Sequence, residues 1–513
     1  MIQKATYFSS KNVLKALVLI IVVYAIIEKI LLYSKFSVNY TDEDQCILWL
    51  AADELLHGHF REPCFFGQDY SSCLEGWFSV PFLIAGLDYN QAIPLTTLLM
   101  SVFPFALIGW HFFKKENYLM TVITLFFLLM FSLNYKLISI LPRGFITGVF
   151  FVGIAYYMLL REGKFRFFWF SFFALFGFFL NEMSVFLSFP ILLIYFKDNY
   201  RSKPFYLQCI VGGLPALTYK LYAYGFYNIW HRQYKTFSKS NFIWEFNDLK
   251  EAFAHLDNWL FNDFTLIFIS ILFLCILLAF KKHYFKVWVI FIIVVLMGFS
   301  FGLHRMQEGA ETIFFNKSRL FVFIPFLLVI LSSFVFSSLS LSMNKQLLFS
   351  GIAFVFITVT FFRQQSELDK KIEDEINIPE KVVSVMSVEN LYRLSYKYIY
   401  ICRATHNHVL VFDILRKDVF TLYTVIPLLS DNDIKTFLPA FDRRLWAFNE
   451  LVNSQPEKVV VFENYPERYN KAPLNTYKRR ILDSSGDWLV EYYLKKPLGR
   501  TCKEDFKTRL RIH

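Results

Sequence analysis

The chain has 513 residues and a formal net charge of +11, with 56% hydrophobic, 20% aromatic and only 19% charged residues. Soluble proteins carry nearer a quarter charged residues and lack serial apolar stretches of bilayer length. The composition therefore excludes a soluble enzyme, a nucleic-acid-binding protein and a secreted module, and the basic excess reads as the positive-inside bias of a polytopic membrane protein.

Eleven apolar runs follow in chain order: 13–33, 91–113, 118–135, 143–160, 167–180, 185–196, 205–223, 263–280, 284–301, 319–341 and 346–362. The first is too long for a signal-peptide core and no small-residue cleavage site follows it, so it is expected to be a retained helix. The pair 167–180 and 185–196 is short, with Asn181-Glu182-Met183-Ser184 between its members. It predicts two short helices or one re-entrant hairpin. Lys and Arg cluster in the short connections around Lys114, Lys115, 161–166, 197–203, Lys281, Lys282 and Lys345. Dense basic connections mark the cytoplasmic side. The N-terminus is then inside, and about eleven spans leave the C-terminal segment outside.

The expected fold is an α-helical polytopic membrane protein of about eleven transmembrane helices over 1–362, with interfacial segments in its first outer loop, 34–90. A C-terminal domain of α/β or α+β type fills 363–513, outside the membrane. Its β-like runs are Val409–Phe412, Lys458–Phe462 and Trp488–Leu494. At about 150 residues it is large enough to bury its own core.

The first outer loop opens Asn39-Tyr40-Thr41-Asp42-Glu43-Asp44-Gln45, and a helical stretch from Ile47 to His57 follows, closed by Gly58. Acids at headgroup depth lose hydration and are seldom retained without a use. One use is as N-cap, with Thr41 or Asp42 accepting from the helix start and acids favoured in the first turn. Another is catalytic: a held carboxylate takes the proton of an acceptor hydroxyl as its oxygen attacks an anomeric carbon. One acid can cap while its neighbour reacts. Aromatics mixed with these acids predict a loop lying flat at the interface.

The order Glu43-Asp44, Gly58, Pro63, Gly67, Tyr70 resembles the first outer loop of GT-C superfamily glycosyltransferases, in the aminoarabinose-transferase and protein-mannosyltransferase branches. The local match covers about 35 residues, while the layout of outer loop, many spans and outer C-terminal domain covers the chain. The order Glu43-Asp44 is inverted relative to the family's Asp-Glu, and Asp42-Glu43 restores it at a one-residue slip. Asp42, Glu43 and Asp44 are thus the candidate catalytic acids, with Asp44 foremost. The family's Lys-Pro-Pro run after the Tyr is replaced by Ser71-Ser72-Cys73-Leu74-Glu75. Gln68 and Tyr70 leading to Leu74-Glu75 resembles other branches and makes Glu75 the second acid.

The resemblance implies transfer of a sugar from a polyprenyl-phosphate donor to a hydroxyl of a glycan, lipid or protein acceptor, at the outer face of the bacterial inner membrane. Single displacement inverts the anomeric centre. The phosphate needs cations, and Arg binds it bidentately. Arg143, in Leu141-Pro142-Arg143-Gly144, and His304, Arg305, Lys317 and Arg319, bordering a late outer loop, are the candidates. A divalent cation would serve the leaving group too, but no His/Asp cluster at ligand spacing marks a site. Cys64 and Cys73 lie outside, where a disulfide is chemically permitted, with Cys46 as competitor; Cys402 and Cys502 would be the C-terminal domain's own pair. The rival readings are a glycan polymerase or ligase using diphosphate-linked donors, and a transporter of lipid-linked glycan.

Overall fold

The structure, a computed structural model, describes residues 10–235, 244–260, 266–302, 321–336, 341–376, 385–412, 417–438, 444, 446–447, 449–450, 456–463, 476–483 and 488–494. Chain contacts gather these into two compact units. One is built from Met1–Ser37, Pro94–Lys220 and Ser240–Lys381, the other from Val38–Ile93, Leu221–Lys239 and Val382–His513.

Every one of the eleven apolar runs contains helix. They are α1 (Ser10–Leu32), α4 (Tyr89–Lys114), α5 (Tyr118–Leu129) with α6 (Leu133–Ser139), α7 (Thr147–Leu160), α8 (Arg166–Leu180), α9 (Val185–Asn199), α10 (Lys203–Gly225), α12 (Leu266–Phe280), α13 (Tyr284–Phe301), α14 (Ile324–Phe336) and α15 (Met343–Ile376). Between α10 and α12 lies α11 (Phe246–Leu260). Among the described residues, four stretches are long and apolar enough to cross a membrane unaided: Ser10–Ser37, Tyr89–Lys114, Tyr284–Phe301 and Met343–Ile376. A fifth is the pair α5 and α6, bent by 91°. The expectation of about eleven full spans is therefore met only in part among the described residues. α7 and α8, at 14 and 15 residues, rise about 21–23 Å at 1.5 Å per residue, short of a hydrocarbon core of about 30 Å. α8 and α9 are separate short helices joined by a 3-10 turn at Glu182–Ser184.

These helices turn apolar side chains outward. Phe280 is 80% exposed and Phe291 63%, which suits lipid and not water.

The second unit takes its first helices from the early loop. α2 (Glu43–Leu56) and α3 (Leu74–Ile84) belong to it, with α16 (Val388–Ala404) and α17 (Lys417–Leu429). A five-stranded sheet has the order β4-β3-β5-β7-β6. Its strands are β3 (Val409–Phe412), β4 (Lys435–Phe437), β5 (Lys458–Glu463), β6 (Thr476–Asp483) and β7 (Trp488–Leu494). β3 pairs parallel with β4 and β5, while β7 pairs antiparallel with β5 and β6. The expectation of α/β or α+β structure in this segment is met by a small mixed sheet with its helices.

The early loop and the C-terminal segment form one core. Strand β1 (Tyr40–Thr41) pairs antiparallel with β2 (Met386–Ser387), Tyr40 opposite Ser387. Cys46 to Ala52 of α2 share a buried cluster with Leu391 and Tyr398 of α16, Leu422 and Ile426 of α17, and Leu410, Val460 and Leu489 of the sheet. α2 thus corrects the picture of a loop lying flat at the interface. Residues Gln45 to Glu54 are all buried, so the helix has no polar face to leave in water. α3 does keep an exposed apolar side, with Phe78 and Ile84 uncovered.

Candidate active site

The three acids at the start of α2 are divided by the helix itself. Asp42 is the N-cap: its Oδ1 accepts from the Gln45 backbone N–H at 3.0 Å and its Oδ2 from Gln45 Nε2 at 3.1 Å. It is fully buried. Glu43 and Asp44 occupy the first turn and remain partly exposed. Of the three acids named from the sequence, Asp42 is buried and engaged through both oxygens, while Glu43 and Asp44 are partly exposed.

Glu75 is buried in the first turn of α3. The next residue fixes how α3 crosses α2. A Cβ on Gly76 would stand 2.5 Å from the Leu48 carbonyl oxygen, closer than real contacts allow, so only glycine lets the backbones approach. The same Cβ would meet the Ala52 backbone nitrogen at 3.5 Å, so α3 crosses α2 near its middle, between Leu48 and Ala52.

The loop between the helices is braced by acids the sequence reading gave no role. α2 ends in the expected way, with Gly58 at φ +82° and its N–H on the Leu55 carbonyl at 2.9 Å. Arg61 then donates to Glu54 Oε2 at 2.6 Å, reaches Glu450 at 3.0 Å and stacks 4.5 Å from the Trp446 ring centre. Glu62, fully buried, accepts from the Gly67 N–H at 3.0 Å and from the Tyr227 hydroxyl at 2.8 Å. Burial, reinforced by the adjacent carboxylate, raises the Tyr227 pKa and keeps the phenol a donor. Asp69, between the candidates Gln68 and Tyr70, pairs with Lys235 at 2.6 Å. Gln68 and Tyr70 are both partly exposed. The segment bearing them is thus pinned at Glu62 and at Asp69 by residues 227 and 235.

No disulfide forms among the described cysteines. Cys46, Cys64, Cys73 and Cys402 are buried thiols outside any disulfide, so the bond that the positions of Cys64, Cys73 and Cys46 permit is not formed. Cys73 Sγ instead faces the Cys64 carbonyl at 4.0 Å. Burial pushes the Cys402 thiol up to about 12 and raises those of Cys46 and Cys73, so they stay protonated and unreactive at neutral pH. Cys502 lies outside the described residues.

Arg143 belongs to the apolar unit, on the turn between α6 and α7, where it is partly exposed. The turn is held by Asn181, whose Nδ2 donates to the Gly144 and Phe145 carbonyls at 3.3 and 3.2 Å. His304, Arg305, Lys317 and Arg319 lie outside the described residues. Among the described residues no group of three or more His, Cys, Asp or Glu side chains is gathered in a way that would hold a metal ion.

No family model and no curated protein matches the sequence. Solved structures do match the fold. The crystal structure of ArnT from Cupriavidus metallidurans in the apo state aligns with a TM-score of 0.53 at 9% identity, covering 92% of this chain and 98% of that one. The chain has an ArnT-like fold. ArnT bound to undecaprenyl phosphate aligns with a TM-score of 0.51, again at 9% identity, over 92% of this chain and 97% of that one. The likeness to ArnT runs through both the apolar helices and the unit that carries the mixed sheet.

Proposed function

We propose that the chain is a membrane glycosyltransferase that moves a sugar from a polyprenyl-phosphate donor to a hydroxyl of a glycan or lipid acceptor. The observation that carries this reading is the ArnT-like fold of the chain, together with the start of α2, where Glu43 and Asp44 are partly exposed in the first turn after the buried cap Asp42. The ArnT structure with undecaprenyl phosphate supports a lipid-phosphate donor. The GT-C resemblance of the first outer loop supports sugar transfer.

In this reading Asp44, or Glu43 beside it, accepts the proton of the acceptor hydroxyl as its oxygen attacks the anomeric carbon and the bond to the lipid phosphate breaks. Glu75 orients the reacting groups. Gln68 and Tyr70 contact the sugar. Arg143, with His304, Arg305, Lys317 and Arg319, stabilises the departing phosphate, whose charge grows as the bond breaks. Attack in one displacement inverts the anomeric centre. The apolar helices make up about eleven spans, and the acids and the mixed sheet lie on the extracytoplasmic side.

Glycan and lipid mass spectrometry of a deletion strain identifies the missing sugar and its acceptor. With both in hand, Asp44→Asn in the purified full chain is expected to lower transfer by about 10²–10⁴-fold, the range for losing a positioned general base, with unchanged thermal unfolding. Full activity in both Asp44→Asn and Glu43→Gln defeats the assignment.

A further inference from the structure

The apolar unit encloses a polar cluster that none of these steps uses. α5 stops at Leu129 and α6 restarts at Leu133, turned by 91°. Breaking a helix among apolar neighbours frees backbone carbonyls that need partners. Gln364 of α15 supplies one, its Nε2 donating to the Phe131 carbonyl at 2.8 Å. The oxygen of the same amide accepts from Lys136 Nζ, and Lys136 also donates to Glu28 Oε2 on α1. Lys136 is 0% exposed, Glu28 2% and Gln364 4%. Lys29 stands 3.2 Å from the other Glu28 oxygen. Charged groups this deep are costly and are usually kept for a use. Their joint effect here is geometric, since one amide bridges the freed carbonyl to a buried cation and one carboxylate neutralises that cation.

What the elbow carries gives the cluster its consequence. Six residues separate Lys136 from Arg143, whose turn is fixed on its far side by Asn181 and by Thr147 Oγ1 donating to the Gly144 carbonyl at 2.8 Å. Arg143 therefore sits between two clamps, and the nearer one joins three helices. We propose that Glu28, Lys136 and Gln364 are positioning residues for Arg143, locking the α5–α6 elbow so that the guanidinium is held ready for its anionic ligand. This inference rests on reading Arg143 as a contact of the donor phosphate.

The test uses the full chain in lipid nanodiscs and two readouts. The first needs no catalysis: Arg143→Cys is labelled with a water-soluble thiol reagent, measured against the parent chain, alone and combined with Gln364→Leu or Lys136→Met. Releasing the lock is expected to change the labelling rate about fivefold, a coupling typical of residues acting through shared structure. The second is donor kinetics. Gln364→Leu and Lys136→Met should raise the donor KM about fivefold with kcat nearly unchanged, and adding Arg143→Ala to either should give no further rise. Gln364→Leu leaves the ion pair intact and carries the test if Lys136→Met does not accumulate. Unchanged labelling in both backgrounds, or KM effects that multiply with Arg143→Ala, overturns the proposal. Altered labelling in a chain that transfers from no polyprenyl-phosphate sugar would uphold the lock and reject the donor reading instead.

Discussion

At the start of α2 three acids follow one another, and two of them stay partly open to solvent. At the α5–α6 elbow a single acid, Glu28, is 2% exposed and meets two lysines. In the first region Asp42 caps the helix and is buried, while Glu43 and Asp44 lie partly exposed in the first turn. The second spends its charge wholly on structure, because an ammonium among apolar side chains needs a carboxylate and an amide oxygen at once. The acids that stay partly exposed are therefore found where a neighbour has already capped the backbone, and the acid spent on architecture is found deep among apolar side chains.

The sharpest way to break this contrast is to remove one elbow charge. Lys136→Met removes the cation on Glu28 Oε2 and the Gln364 contact, leaving Glu28 with Lys29 alone, and should destabilise the chain by up to about 3–5 kcal/mol, the usual cost of breaking a buried pair. Thermal unfolding in nanodiscs measures it. Replacing all three charges, Glu28→Leu and Lys29→Met with Lys136→Met, should recover most of that loss, since removing a whole buried ionic group is often neutral. If the triple variant is as unstable as the single one, the cluster contributes packing and not charge balance.

A smaller effect separates the brace of the outer loop from its candidate acids. Tyr227→Phe leaves Glu62 with the Gly67 N–H but without the phenol, which should cost about 1–3 kcal/mol for a buried acceptor losing its partner. Proteolysis within 62–70 should rise in step, because Gln68 and Tyr70 lose an anchor. Unchanged stability and cleavage would mean the hydroxyl is not needed to hold the loop.

Some of this was legible in the sequence. The eleven helix-bearing runs follow from apolar length alone, and a cap at Thr41 or Asp42 follows from their place before an apolar helix, Asp42 being the one that caps. Gly58 announced the end of α2. The elbow lock was not legible, because Lys136 meets Glu28 and Gln364 across 108 and 228 residues, and nothing local marks such a meeting. The Glu62–Tyr227 contact spans 165 residues and was missed for the same reason. The expectation that α2 lies at an interface failed because its partners, the strands and helices after residue 385, come from the far end of the chain. A helix whose two ends carry acids looks amphipathic until that second layer is known to cover it.

The gentlest test acts on Asp42 and decides how the α2 acids are shared. Asp42→Ala removes the cap and should cost about 1 kcal/mol, read as a fall in unfolding temperature of a few degrees. Asn is as good an N-cap as Asp, and its side-chain oxygen can still accept from the Gln45 N–H, so Asp42→Asn should cost only a few tenths of a kcal/mol. Asn cannot act as a base. If Asp42 serves only the helix, Asp42→Asn keeps nearly full transfer while Asp44→Asn loses it, although the two substitutions remove the same charge two residues apart. A large loss of transfer in Asp42→Asn at unchanged stability would instead make the buried acid the reacting one, and the contrast between an acid that caps and an acid that reacts would no longer hold at this helix.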